Sequence, residues 1–373
     1  MLSARHYVLA LGFVAIATPM CAQEGSQPVD IHGFGSWAYG RTRGNMFLDA
    51  TPLGEFRNVS MALNISKRVG DELSIHAQGE IHEGRDDTET ELDFAFADYK
   101  LSDHLSFRVG QVKHPFGIYT EIFDVGTLRP FIDLPQGFYG PVGFVGESYR
   151  GIGLSGLKEI GAWSIVYDAY AGGNEIEKSA VPELYYFGES RDFVPEETER
   201  QSTRDVLGGR IVFRTPIQGF TFGASSYTGV LNEPASNRRV VVAGQIGYRS
   251  NTVTLESEIA YEDQAQDEHA KGGYVLGAYR VSPEWQVAAQ FDLLKNEFYG
   301  ADPTSAPSLQ DHREMAFGLS RWMSRAFVLK AEYHHVSGNR FAMPLPEDLA
   351  TTIAAGELRL TTHLFKFGAQ FSF

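Results

Sequence analysis

Phe365-Lys366-Phe367-Gly368-Ala369-Gln370-Phe371-Ser372-Phe373 closes the chain and decides how the rest is read. Phe365, Phe367, Ala369, Phe371 and Phe373 share one face, while Lys366, Gly368, Gln370 and Ser372 share the other. Successive side chains of a strand point to opposite faces, so this spacing is that of a strand and not of a helix. An apolar face backed by a polar one suits lipid on one side and water on the other. A strand of a soluble sandwich alternates too, so the reading depends on how often the pattern returns.

It returns along the whole chain. Val59, Met61, Leu63 and Ile65 oppose Asn58, Ser60 and Asn64; Leu105, Phe107 and Val109 oppose Ser106 and Arg108. Val253, Leu255, Ile259 and Tyr261 oppose Thr254, Glu256, Glu258 and Glu262, and Phe327, Leu329, Ala331 and Tyr333 oppose Lys330, Glu332 and His334. Charges in mid-strand require that their face be wet. Runs of this kind predict strands near 30–41, 57–66, 72–82, 90–100, 104–113, 148–157, 161–171 and 205–214. Others fall near 220–229, 239–249, 252–262, 272–281, 285–295, 312–321, 326–336 and 357–373. Short turns such as Val69-Gly70-Asp71, Ser102-Asp103 and Ser324-Arg325 alternate with long loops at 83–90, 114–147, 172–204, 296–311 and 337–356. The implied fold is all-β: a closed antiparallel transmembrane β-barrel of about sixteen strands, with short periplasmic turns and long extracellular loops. A slightly negative mean hydropathy does not argue against it, because a barrel hides its apolar residues in alternation.

The amino-terminal segment points to export. Arg5 and His6 precede the apolar stretch Tyr7 to Thr18, and Met20-Cys21-Ala22 offers a small-residue cleavage site. This is the layout of a signal peptide, residues 1–22, leaving 23–373 as one barrel domain. Cys21 is the sole cysteine, so the barrel domain needs no disulfide. Removing Arg5 with the leader takes the net charge from −15 to −16, which argues against nucleic acid as a partner.

The loop at 114–147 is the exception to a plain barrel. It runs Lys113-His114-Pro115-Phe116-Gly117, then Thr127-Leu128-Arg129-Pro130-Phe131 and Leu134-Pro135-Gln136-Gly137-Phe138-Tyr139-Gly140-Pro141. Phe116, Ile118, Tyr119, Ile122, Phe123, Phe131, Phe138 and Phe144 are too many apolar side chains for a segment standing in water, since burying each gains roughly 1.5–3 kcal/mol. The loop must therefore pack inside the barrel or against a neighbouring protomer. Pro115, Pro130, Pro135 and Pro141 keep it from forming another strand pair. In this stretch, and in its aromatic last residue, the chain resembles the trimeric porins of Gram-negative outer membranes, and loosely the phosphate-selective porins. That resemblance implies a homotrimer surrounded by outer-membrane lipid and lipopolysaccharide. It also implies a third loop folded into the lumen and passive diffusion of small hydrophilic solutes or ions, with no cofactor. Carried over, it makes Glu121, Asp124, Arg129 and Asp133 candidates for the narrow zone, although charges in long loops commonly face only water.

Strand parity turns Arg108, Arg210, Arg249, Lys330 and Lys366 into the lumen, together with Glu80, Glu256, Glu258, Asp292 and Glu332. No dense basic run appears among them, which departs from a phosphate-selective pattern and leaves ion preference open. A hydrolase is the competing enzyme reading, with His76, His82 and His334-His335 as its material. Neither a Gly-x-Ser-x-Gly elbow nor a His-Glu-x-x-His motif accompanies them, so no catalytic or metal residue is assigned. A non-conducting structural or adhesive barrel is the third reading. Its feature would be the acidic loop from Glu83 to Glu91, whose Asp86, Asp87 and Glu89 could meet lipopolysaccharide through divalent ions.

Overall fold

The computed structural model describes residues 28–83, 88–141, 144–179, 184–187, 190–193, 198–231, 237–264, 268–298, 309–345, 348, 352 and 357–373. The expected signal peptide and Cys21, and Asp86 and Asp87 of the acidic loop, lie outside the described residues.

Strands β1 (Val29–Arg43), β2 (Glu55–Val69), β3 (Leu73–Glu83), β4 (Thr88–Ser102), β5 (Leu105–Lys113), β6 (Ser148–Ile160) and β7 (Trp163–Ser179) begin the sheet. After a separate two-stranded hairpin, β8 (Leu184–Phe187) and β9 (Ser190–Phe193), come β10 (Thr198–Arg214), β11 (Phe220–Leu231), β12 (Arg238–Arg249) and β13 (Val253–Gln264). The series ends with β14 (Glu268–Arg280), β15 (Trp285–Phe298), β16 (Asp311–Ser324), β17 (Phe327–Ser337) and β18 (Thr361–Ser372). Leaving out the hairpin, sixteen strands form one closed antiparallel barrel in which β1 pairs with β18. Each expected strand is present. β7 and β10 run further than the alternation suggested, because they pair with each other from Ser179↔Thr198 down to Ser164↔Arg214. The β8–β9 hairpin, inside the 172–204 segment, was not expected.

Closure is what a bilayer demands, because an unpaired strand edge in hydrocarbon leaves N–H and C=O groups with no partner. At the seam, Phe34 to Arg43 register with Ser372 to His363, and Gly33 and Phe373 exchange both backbone hydrogen bonds at 3.0 and 2.8 Å. Tight turns such as the one at Gly70, with φ of 79°, join strands at the periplasmic end.

The faces are inverted relative to a soluble protein. Ile259 is 67% exposed while Glu258 beside it is 1% exposed. Met61, Leu63, Val275, Phe317 and Phe365 likewise face outward, as lipid requires. Near the short turns, Trp285 lies under the Arg321 guanidinium at 5.3 Å, and Phe213 stacks on Phe222 at 5.1 Å. Such aromatic side chains suit the interface between headgroups and hydrocarbon.

The apolar core lies inside the barrel. The segment 114–147 folds into the lumen and carries two short 3-10 turns and one helical turn, α1 (Gln136–Tyr139). Phe116, Tyr119, Phe138 and Phe144 are fully buried against Tyr149, Tyr170, Tyr227 and Tyr274 of the wall. This revises the expectation of a uniformly polar inner face. On β7 and on β11 to β14, inward positions such as Tyr170, Tyr227, Val241, Tyr274 and Leu276 are aromatic or aliphatic because they receive the loop. The approach is close enough to need glycine. A Cβ on Gly272 would stand 2.0 Å from the Gly137 carbonyl oxygen, and one on Gly137 would stand 2.4 Å from that of Leu293. Backbone atoms cannot swing away, so Gly272→Val should lift α1 from the wall while leaving the sheet intact. Limited proteolysis checks this: the variant barrel should keep its β-sheet circular-dichroism spectrum and be cut faster between residues 114 and 147.

Candidate functional site

The candidate functional surface is the gap between the folded-in loop and the wall. Backbone groups of a loop in a confined space need partners, since each one left bare costs as much as a lost hydrogen bond. The wall supplies carboxylates for the N–H groups. Ile118 N–H donates to Glu258 Oε1 at 2.9 Å, Ile132 N–H to Glu332 Oε1 at 2.6 Å, and Gln136 N–H to Asp292 Oδ2 at 3.1 Å. Lys330 does the converse. Its buried ammonium donates to the carbonyls of Gly126, Arg129 and Phe131 at 3.0, 2.8 and 2.9 Å, one for each of its three donors. Tyr139 and Tyr119 of the loop bond to Glu258 and Glu256, and Tyr274 of the wall donates to Glu258 at 2.8 Å.

The four loop candidates divide by role. Glu121 pairs with Arg210 at 2.7 Å, and Arg129 donates to the Phe123 carbonyl at 2.9 Å; both border open space. Asp124 and Asp133 are anchors. Asp124 accepts from Lys113 at 3.0 Å and from Gln78 at 2.9 Å, and the Lys113 ammonium beside it holds its carboxyl below the usual range despite burial. Asp133 pairs with Lys366 at 2.7 Å. At the start of the loop His114 is fully buried, bonded to Tyr170 at 2.6 Å, and burial lowers its pKa to about 4, so it stays neutral.

The wall candidates separate in the same way. Lys330, Lys366, Glu258, Asp292 and Glu332 hold the loop. Arg108 pairs with Asp98 at 2.8 Å, away from the loop's anchors, and Glu80 is half-buried opposite Glu91. Arg210, Arg249 and Glu256 line a cavity of about 400 Å³ with Glu121 and Arg214, where Arg249 donates to Glu256 at 2.5 Å. A second cavity of about 260 Å³ is bordered by Arg129, Arg280, Trp322 and the same Arg249. Both are reached by turn residues, Gly219 in the first and Ser250 and Asn251 in the second, so they form a vestibule on the periplasmic side of the loop. Arg214 and Arg280 were not singled out in the sequence, though both fall on inward parity at strand ends. Lys113, Asp93 and Asp168, also unforeseen, complete the anchoring pairs: Lys113 reaches Asp93 at 2.6 Å and Arg210 reaches Asp168 at 2.9 Å.

The histidines weighed for a hydrolase lie on opposite faces or on separate strands. His334 faces inward and bonds to Glu314, whereas His335 faces outward beside His363 at 3.5 Å. His76 contacts Ser74 at 2.9 Å and stacks on Phe96.

A closed sixteen-stranded barrel with an apolar belt and a loop folded into its lumen is the architecture of the outer-membrane porins. No family model matches the chain, and no curated protein matches it in sequence. Solved structures do match in fold. The outer membrane channel DcaP of Acinetobacter baumannii superposes with a TM-score of 0.59 at 10% identity, covering 94% of this chain and 99% of that one. OmpF of Salmonella typhi, in complex with daunomycin, gives 0.56 at 11% identity, covering 92% and 97%. OmpT of Vibrio cholerae, an outer membrane protein in its trimer form, gives 0.55 at 11% identity, covering 93% and 99%. At such identities the likeness is one of fold.

Lys330 is the anchor most open to test. Lys330→Met removes three charge-assisted hydrogen bonds at once, a loss on the order of 3 kcal/mol or more for the docked loop. The variant should keep its heat-modifiable barrel on electrophoresis but show a lower and broader thermal transition.

Proposed function

We propose that the protein is an outer-membrane porin that passes small hydrophilic solutes or ions by passive diffusion and performs no chemistry. The observation that carries this reading is the charged vestibule beneath a loop held in the lumen of a closed barrel. A fixed loop narrows the water path, and fixed charges on its borders set which ions enter. In this reading Glu121 and Arg129 edge the narrow zone, and residues 1–22 are removed during export. The protein works as a homotrimer, a proposal supported by the trimer form of the V. cholerae structure to which the fold is similar.

The local charge favours anions even though the chain is acidic. Arg129, Arg210, Arg214, Arg249 and Arg280 border the two cavities, against Glu121 and Glu256. Arg129 and Arg280 border a cavity with no carboxylate among its described lining residues. A porin's preference follows this nearby field and not its total charge.

A second reading, a plugged barrel, is favoured by one observation: the buried aromatic core of the loop reaches wall residues on strands from β5 to β16. Conductance separates the two. Purified protein in a planar lipid bilayer should give stepwise currents, and a reversal potential under a salt gradient should report anion preference. Arg129→Glu should move that potential toward cations while leaving the oligomer on native electrophoresis unchanged. An inserted but silent barrel favours the plug. Unchanged selectivity with a loosened oligomer would mean that Arg129 serves an interface and not the pore.

A further inference from the structure

We infer that Asp292, His312 and Glu314 form a binding site for one divalent transition-metal ion, best matched by Zn²⁺, in the inner wall of the barrel. The register brings the three together. Asp292 on β15 lies directly across from Glu314 on β16, and His312 sits two residues before Glu314 on the same inward face. Side chains at such positions converge on one spot above the sheet. His312 Nε2 stands 2.8 Å from Asp292 Oδ1 and 3.4 Å from Glu314 Oε2, and one donor atom from each residue falls within 4.8 Å of the others. Ligands about 2.0–2.2 Å from a tetrahedral zinc are separated by roughly 3.3 Å, so the trio needs only small adjustment to close on an ion.

A second observation points to a ligand. His312 is fully buried, yet neither ring nitrogen makes an aligned hydrogen bond, and Asp292 Oδ1, its ion-pair partner, makes none either. The Nε2 atom thus stands at ion-pair distance from both carboxylates without the alignment of a hydrogen bond to either. Buried polar atoms are paired almost without exception, and an ion lying between the three side chains would engage His312 Nε2 and Asp292 Oδ1 together, leaving Nδ1 outside its shell. One imidazole and two carboxylates form a mixed nitrogen and oxygen set that suits a borderline ion such as Zn²⁺ better than Ca²⁺ or Mg²⁺, which take oxygen alone.

The contacts around the two carboxylates have the character of a metal's outer shell, which orients the ligands. Asp292 uses its other oxygen to hold the Gln136 amide of the lumen loop. Glu314 uses its other oxygen to bond His334, whose second nitrogen meets Glu332 at 3.2 Å, and Glu332 holds the Ile132 amide. Phe47 and Phe341 cover His312, with ring centroids 5.9 and 5.0 Å away. An ion at this place is sealed from the lumen and ties β15 and β16 to the loop at Gln136 and, through His334 and Glu332, at Ile132. It is therefore loaded as the barrel folds.

The test uses untagged full-length barrel refolded in detergent with Zn²⁺ and then desalted. Atomic emission should find about one zinc per chain, and His312→Ala should weaken retention by at least tenfold, on the scale seen for lost metal partners. Heat-modifiable migration confirms that the variant has folded. Should His312→Ala fail to fold, refolding the unaltered chain with Co²⁺ gives an independent readout, the visible absorption of a tetrahedral cobalt centre. No zinc above background in the unaltered chain, equal retention by folded His312→Ala, or no cobalt absorption would each overturn the assignment.

Discussion

The backbone of residues 114–147 has no strand to pair with, and the inner wall provides the acceptors and donors it lacks. Several of the charged wall residues are used this way before any solute is considered. Glu258, Asp292 and Glu332 accept loop amides, and Lys330 collects three loop carbonyls. Buried charges of this kind are tolerable only when hydrogen-bonded throughout, so loop and wall specify each other. The apolar part of the fit is equally mutual, with aromatic wall residues where the loop's Phe116, Phe138 and Phe144 arrive. The barrel is thus a ring whose hydrophobic core is its third extracellular loop.

This division of labour shapes the electrostatics of the vestibule. Carboxylates concentrate where they hold the loop, and the arginines left near the short turns face open space. An acidic chain and a basic vestibule are therefore compatible. Ion pairs such as Arg210 with Glu121 and Asp168 fix the guanidinium in place, and a fixed charge at a water-filled border steers ions better than a mobile one.

Most of the fold was legible because a membrane barrel writes one rule sixteen times. Lipid outside and water inside force a period of two, and even Phe365 to Phe373 alone displays it. The lumen loop was legible through its apolar excess. Less legible was what each charge does. Asp124 and Asp133 read the same as Glu121 in the sequence, and only the fold shows that Lys113 and Lys366 claim them. Tyr170, Tyr227 and Tyr274 escaped because alternation fades where both faces of a strand are apolar. His312 escaped because its meaning depends on a partner strand: the register with β15 brings Asp292 beside it.

Amide hydrogen exchange of the folded barrel, followed by mass spectrometry, tests the central claim most directly. If the inner wall holds the loop, peptides spanning residues 117–138 exchange as slowly as those from the neighbouring strands, with the Ile132 and Gln136 amides among the protected sites. Exchange of that segment at the rate of freely solvated loops would show that the loop is not docked, and the account of the lumen would fail with it.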